Sequence, residues 1–192
     1  MQVHRHFIIY KPDGYLSQFI NNQTKRSKKK LLGELYEFPE GTMAIGRLDE
    51  PSEGLLFLTT SGKVSELVRS NKFEKEYWVQ LDGVITDEAI NFLKTEVTIT
   101  VEGNPYTTKA LVAEQIETPT HLPKRRKKIR DDRHGPTSWV KIVLTEGKFR
   151  QVRKMTAAVG FPTLRLVRYR IGNTTIEDLN TNTVCEVIKF KI

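Results

Sequence analysis

Apolar residues fall into short blocks along the chain, some with a period of two and some with helical spacing, and the two kinds interleave. Residues 3–10 predict a strand. The KPDG that follows predicts a turn, because proline fixes φ and glycine accepts a positive φ. The polar, basic stretch 22–30 reads as a loop and 31–38 as one or two helical turns. The apolar run EGLLFLTT at 53–60 predicts a buried strand and 62–70 a helix. In 75–82, Tyr77, Val79 and Leu81 share one face and Glu76, Trp78 and Gln80 the other, which predicts a strand. Thr86, Asp87 and Glu88 open a helix, with a capping hydroxyl followed by acids near the positive end of the dipole. Strands are expected at 109–117, 137–145, 163–171 and 184–192. In the last, Ile188, Phe190 and Ile192 alternate with lysines. A helix is expected at 149–159, closed by Gly160 and Pro162, with Phe149, Val152, Thr156 and Val159 facing the core. Met43 and Met155 read as core residues. The sum is a mixed α+β fold with a largely antiparallel sheet, in a single domain over 1–192 that has room for two lobes.

Composition narrows the function. The chain has 192 residues with 38% hydrophobic positions and a mean hydropathy of −0.43. No apolar run reaches the roughly 18 residues of a membrane span, and no secretory signal is read at the N-terminus. The single cysteine, Cys185, excludes an internal disulfide framework and CxxC metal sites, which suits a reducing cytoplasm. The four histidines are too scattered to predict a zinc site, and no glycine-rich phosphate loop is present. No metal or other cofactor is expected.

Charge points to a polyanion. Lysine and arginine number 31 against 23 acids, a net charge of +8. The excess is clustered: KRSKKK at 25–30, KRRKKIRDDR at 124–133, and seven basic residues without an acid over 148–170. Either of the first two runs is equally readable as a solvated loop. The third falls on predicted ordered elements, where Arg150, Arg153 and Lys154 share a helix face away from the core. That pattern predicts a nucleic-acid surface.

Three segments then stand out in order: GRLD at 46–49 leading into EGLLFLTT, KEYWV at 75–79, and EGKFRQVRKM at 146–155 continuing through VGFPTLRLVR to Arg168. Together they resemble the pseudouridine synthases of the RsuA class, and in 136–172 the RluE-like branch that acts on large-subunit (23S) ribosomal RNA. The resemblance covers about residues 7–172. It implies that class's catalytic domain, with helices flanking the sheet and a cleft across it, acting as a monomer on ribosomal RNA without a membrane. It also implies an isomerase that needs no cofactor. The separate N-terminal RNA-binding domain of many members is not expected here. The 124–133 run is more basic than the class suggests, and residues after 172 match poorly.

The resemblance makes Asp49 the essential carboxylate, acting at the ribose as nucleophile, charge stabiliser or base. From its neighbours alone, Asp49 reads as a turn or capping residue. The resemblance makes Arg153 its partner, holding the carboxylate ionised and oriented; a plain phosphate contact is the other reading. Tyr77 would stack on the target uracil and help remove the C5 proton, although its alternation alone reads as core. Val152 would pack under the base or simply in the core. Arg47 would bind a flanking phosphate or brace the backbone. Lys148, Arg150, Lys154, Arg165 and Arg168 would hold RNA phosphates. Trp78 and Glu53 read as structural. The competing function is a non-catalytic RNA-binding or ribosome-assembly protein on the same fold.

Overall fold

The computed structural model describes residues 4–20, 29–70, 73–130 and 132–192. The start of the first expected strand and residues 25–28 of the first basic run lie outside the described residues. The chain divides into two compact units, Met1–Phe73 with Arg168–Ile192, and Glu74–Val167.

The first unit contains β1 (His6–Lys11), β2 (Met43–Ile45), β3 (Glu53–Thr59), α1 (Gly62–Ser70) and later β10 (Thr174–Thr175) and β11 (Val184–Val187). β11, β1 and β3 lie side by side, antiparallel, with Ile8 opposite both Cys185 and Phe57. β2 pairs antiparallel with β3 through Ala44 and Leu58. Beside β3 run the last residues of β9 (Thr163–Ile171), whose earlier residues belong to the second unit. All seven residues of β3 are buried. That explains why its sequence is a continuous apolar run rather than an alternating one: both faces are covered. Phe7, Ile9, Leu56 and Leu58 pack with Leu32 on one face, and Phe57 stacks on Phe190 with centroids 4.2 Å apart. Each such side chain contributes about 1.5–3 kcal/mol on burial.

The second unit contains β4 (Lys75–Asp82), α2 (Asp87–Thr95), β5 (Val97–Val101), β6 (Asn104–Thr108), β7 (Val112–Ile116), β8 (Thr137–Leu144) and α3 (Gln151–Ala158). Its sheet runs β9, β4, β8, β7, and β5 and β6 form a separate hairpin. β4 and β8 are antiparallel in register from Lys75–Leu144 to Asp82–Thr137. Tyr77, Val79 and Leu81 join Ile90 and Leu93 of α2 and Val152 and Met155 of α3 in one core. Thr86 caps α2 as expected, its hydroxyl accepting from the Ala89 amide at 3.2 Å.

Three expectations about side chains fail. Phe149 is 70% exposed, because α3 begins at Gln151 and the left-handed Arg150 (φ 53°) precedes it, so Phe149 never joins the helical face. Met43 is 37% exposed at the start of the three-residue β2. Ile188 is 95% exposed, because β11 ends at Val187 and the expected alternation to residue 192 stops there. Phe190 is nevertheless buried.

Candidate active site

In the first unit Asp49 sits half-buried on the loop between β2 and β3, after the exposed Arg47 and the buried Leu48. The loop is pinned from both sides. The Ser17 hydroxyl donates to the Leu48 carbonyl at 2.8 Å and accepts from the Leu48 amide at 2.9 Å. The Gly14 amide donates to the Glu50 carbonyl at 2.8 Å, and the Ser52 amide closes the turn onto the Asp49 carbonyl at 3.0 Å. Lys29 pairs with the Glu50 carboxylate. Pro51 and the start of β3 at Glu53 rule out a helical face shared by Asp49 and Glu53, in keeping with the structural reading of Glu53. The Glu53 side chain is buried and accepts from the Tyr10 hydroxyl at 3.2 Å.

Lys11 escaped the sequence reading. It is fully buried at the end of β1, and its ammonium donates to the carbonyls of Pro12 (2.9 Å), Tyr15 (2.7 Å) and Glu50 (3.4 Å). Burial lowers its pKa to about 8 against the opposing pull of Glu53, Asp13, Asp49 and Glu50. The available signal was a lysine ending a strand that is apolar on both faces, with acids two residues on and at 49–53.

Arg168 is 5% exposed, and its Nε donates to the Leu55 carbonyl at 2.8 Å. This arginine braces β3 within its own unit. A Cβ on Gly54 would lie 2.3 Å from the Arg168 carbonyl oxygen, which is why glycine stands in the EGLL motif.

In the second unit the motif at 146–155 is built around a carboxylate. Glu146 accepts hydrogen bonds of 2.5 Å each from the Tyr106 hydroxyl, the Thr108 hydroxyl and Gln151 Nε2. Gln151, itself buried, accepts in turn from the Lys148 amide at 2.9 Å. Burial pushes the Glu146 carboxyl up, but the three donors and Lys148 outweigh it, and its pKa falls below the ordinary value. The knot ties Glu146 and Gln151 to Tyr106 and Thr108 of β6, and Arg150 just before the helix is left-handed.

The basic side chains differ in their tethering. Arg153 is half-buried, with Nη1 3.4 Å from the Thr163 carbonyl. Lys154 donates to the Thr100 carbonyl at 2.6 Å and lies over the Phe149 ring at 5.3 Å. Lys148 lies over Tyr106 at 5.1 Å. Arg150 is exposed. Arg165 donates to the Pro123 carbonyl at 2.8 Å. Tyr77 (7% exposed) and Val152 (5%) are both members of the core. Among the described residues no group of three or more His, Cys, Asp or Glu is placed to hold a metal, and no helix is long and apolar enough to cross a membrane.

Residues 5–158, which include the Asp49 loop, Tyr77 and Arg153, match the family described as RNA pseudouridylate synthase. The chain belongs to that family. Pseudouridine synthases with related sequences include the ribosomal large subunit pseudouridine synthase E of Xanthomonas axonopodis pv. citri (strain 306), 37% identical over 90% of this chain and 88% of that protein. The enzyme of the same name from Vibrio vulnificus (strain CMCP6) is 39% identical over 91% of this chain and 72% of its own length. A crystal structure of a pseudouridylate synthase covers 97% of this chain and 71% of its own, with a TM-score of 0.70 at 23% identity. The fold is that of a pseudouridine synthase: mixed α+β, with a largely antiparallel sheet.

Proposed function

We propose that this pseudouridine synthase isomerises one uridine of large-subunit ribosomal RNA, as a cytoplasmic monomer, with Asp49 as its catalytic carboxylate. The C1′–N1 glycosidic bond breaks, the uracil turns, and C5 joins C1′. The proton lost from C5 is balanced by one gained at N1, so atoms and charge are conserved. The Asp49 carboxylate acts at the ribose. Arg153 is the basic residue that serves this reaction. Tyr77 and Val152 hold the base. Arg47, Lys148, Arg150, Lys154 and Arg165 hold the backbone of an RNA whose target nucleotide is flipped out, at a cost of a few kcal/mol. Arg168 serves the same site by holding β3, which follows the Asp49 loop.

The observation that carries this reading is the pinned Asp49 loop. A carboxylate on a loop fixed by Ser17, Gly14 and Lys11 is pre-oriented for chemistry at a substrate. Large-subunit RNA is supported by the two relatives named for acting on that subunit. The test is incubation of the protein with unmodified large-subunit and small-subunit RNA fragments, read by a base-specific chemical stop. The expected result is one new stop in a large-subunit fragment, with no free uracil released. Free uracil would indicate a glycosylase, and no stop in either RNA would indicate a binding protein without this activity.

A further inference from the structure

On β4 the face opposite Tyr77 carries Trp78, and beside it lies a cavity of about 370 Å³ that the proposed isomerisation does not use. Its walls come from Glu76 and Trp78 on β4, Lys141 on β8, Ile116 at the end of β7, and Pro119 and His121 beyond it. The size falls within the roughly 300–1,000 Å³ of small-ligand pockets. The indole is fixed in place, because its Nε1 donates to Glu76 Oε1 at 2.8 Å. The exposed His121 ring stands edge-on to it, with centroids 5.3 Å apart and planes at 80°.

The chain leaving this cavity is the basic run 124–130, with six lysines and arginines in seven residues. Its ends are anchored. Arg165 holds the Pro123 carbonyl at 2.8 Å, Arg125 reaches the Leu164 carbonyl at 3.3 Å, and Arg130 donates to the Gly135 carbonyl at 2.9 Å while pairing with Asp82. Lys124, Arg126, Lys127 and Lys128 are exposed between these anchors. A fixed indole with a second ring beside it, next to a tethered strip of cations, supplies the elements with which proteins hold single-stranded RNA. Bases stack on the rings while phosphates follow the charge.

We propose that this cavity takes an unpaired nucleobase of the substrate RNA other than the target uridine, stacked against Trp78 and His121, with its neighbouring phosphates on residues 124–128. The proposal rests on the reading of this chain as an RNA-modifying enzyme, and it adds a second point at which a flanking single-stranded nucleotide is gripped. Such a grip selects RNA with a loop or bulge at a fixed distance from the modified position.

The experiment follows binding of a large-subunit RNA fragment by filter retention and by tryptophan emission. It uses the wild type, Trp78→Ala, Trp78→Phe and His121→Ala, with the isomerisation assay run in parallel. Quenching of wild-type emission that is absent in Trp78→Phe isolates the Trp78 signal. The expected results are that quenching, affinity about 10-fold weaker for Trp78→Ala, most of the affinity retained by Trp78→Phe, and weaker binding for the exposed His121→Ala. Should Trp78→Ala fail to fold, His121→Ala and the emission signal decide. Wild-type affinity in His121→Ala together with unmoved emission at saturating RNA overturns the proposal. Isomerisation without quenching removes this site and leaves the function standing. Quenching and weakened variants without isomerisation remove the function and leave the RNA site standing.

Discussion

The Lys11 ammonium lies 3.4 Å from the carbonyl oxygen of Glu50, the residue after Asp49. Its other two acceptors are the carbonyls of Pro12 and Tyr15, so one buried cation ties the turn after β1 to the loop that carries the candidate catalytic carboxylate. An ammonium is suited to this because it offers three donors on a compact charge.

The tie has a pH signature. Burial lowers the Lys11 pKa to about 8, whereas an unfolded lysine titrates near roughly 10.4. Between those values the unfolded chain holds a proton that the native chain has released, so this group adds stability as pH rises. Urea unfolding of the wild type and Lys11→Met at pH 7 and pH 9.5 should therefore show the difference moving in favour of the wild type at the higher pH. Parallel profiles would mean that Lys11 titrates as an exposed lysine.

The Glu146 knot is the counterpart in the second unit. Glu146→Gln keeps the shape but removes the charge that three donors converge on, and should destabilise the protein by about 1–3 kcal/mol at pH 7. The carboxyl has a lowered pKa. Its contribution is therefore present above the unfolded carboxyl value and is lost as pH falls below it. Denaturation followed from pH 7 downward should show the difference between wild type and variant shrinking as pH falls from the unfolded carboxyl value through the lowered native one.

Much of this is legible in the sequence, and the misses have physical reasons. β3 and β4 announce themselves through a doubly buried apolar run and a clean alternation, and α2 through its capping threonine. The β5–β6 hairpin gives a weak signal because Pro105 interrupts it and its exposed face carries the threonines Thr98, Thr100 and Thr107. β2 is three residues long, too short for a period to register. The helix expected at 149–159 begins two residues later, since a left-handed Arg150 without a capping side-chain hydrogen bond precedes it, and Gln151 at its first position is held by Glu146 five residues back. Arg168 reads as a phosphate ligand in sequence but is buried against Leu55. Lys11 stays hidden because a lone lysine beside a turn ordinarily lies in solvent.

Two glycines separate backbone need from motif membership. Gly54 has φ +107° and a Cβ would lie within 3 Å of three backbone atoms of Arg168, so Gly54→Ala should destabilise by several kcal/mol, on the order of 4. Gly147 has nothing within 4 Å of the same position and no positive φ, so Gly147→Ala should leave thermal stability within about 1 kcal/mol of wild type. Thermal unfolding of the two variants checks the contrast.

The basic strip should act through counterion release. Lys124→Glu with Lys128→Glu should weaken RNA binding and reduce the slope of log affinity against log salt by about one for each phosphate that is no longer neutralised. Titrations at several salt concentrations measure this directly. An unchanged slope would show that these lysines stand away from the RNA.

The central claim is that Asp49 performs the chemistry. It is tested most directly by single-turnover isomerisation of the large-subunit fragment by Asp49→Asn, with RNA retention measured on the same samples. The account predicts no detectable pseudouridine in the variant and RNA affinity close to that of the wild type. Pseudouridine formed by Asp49→Asn at a rate near that of the wild type would contradict it.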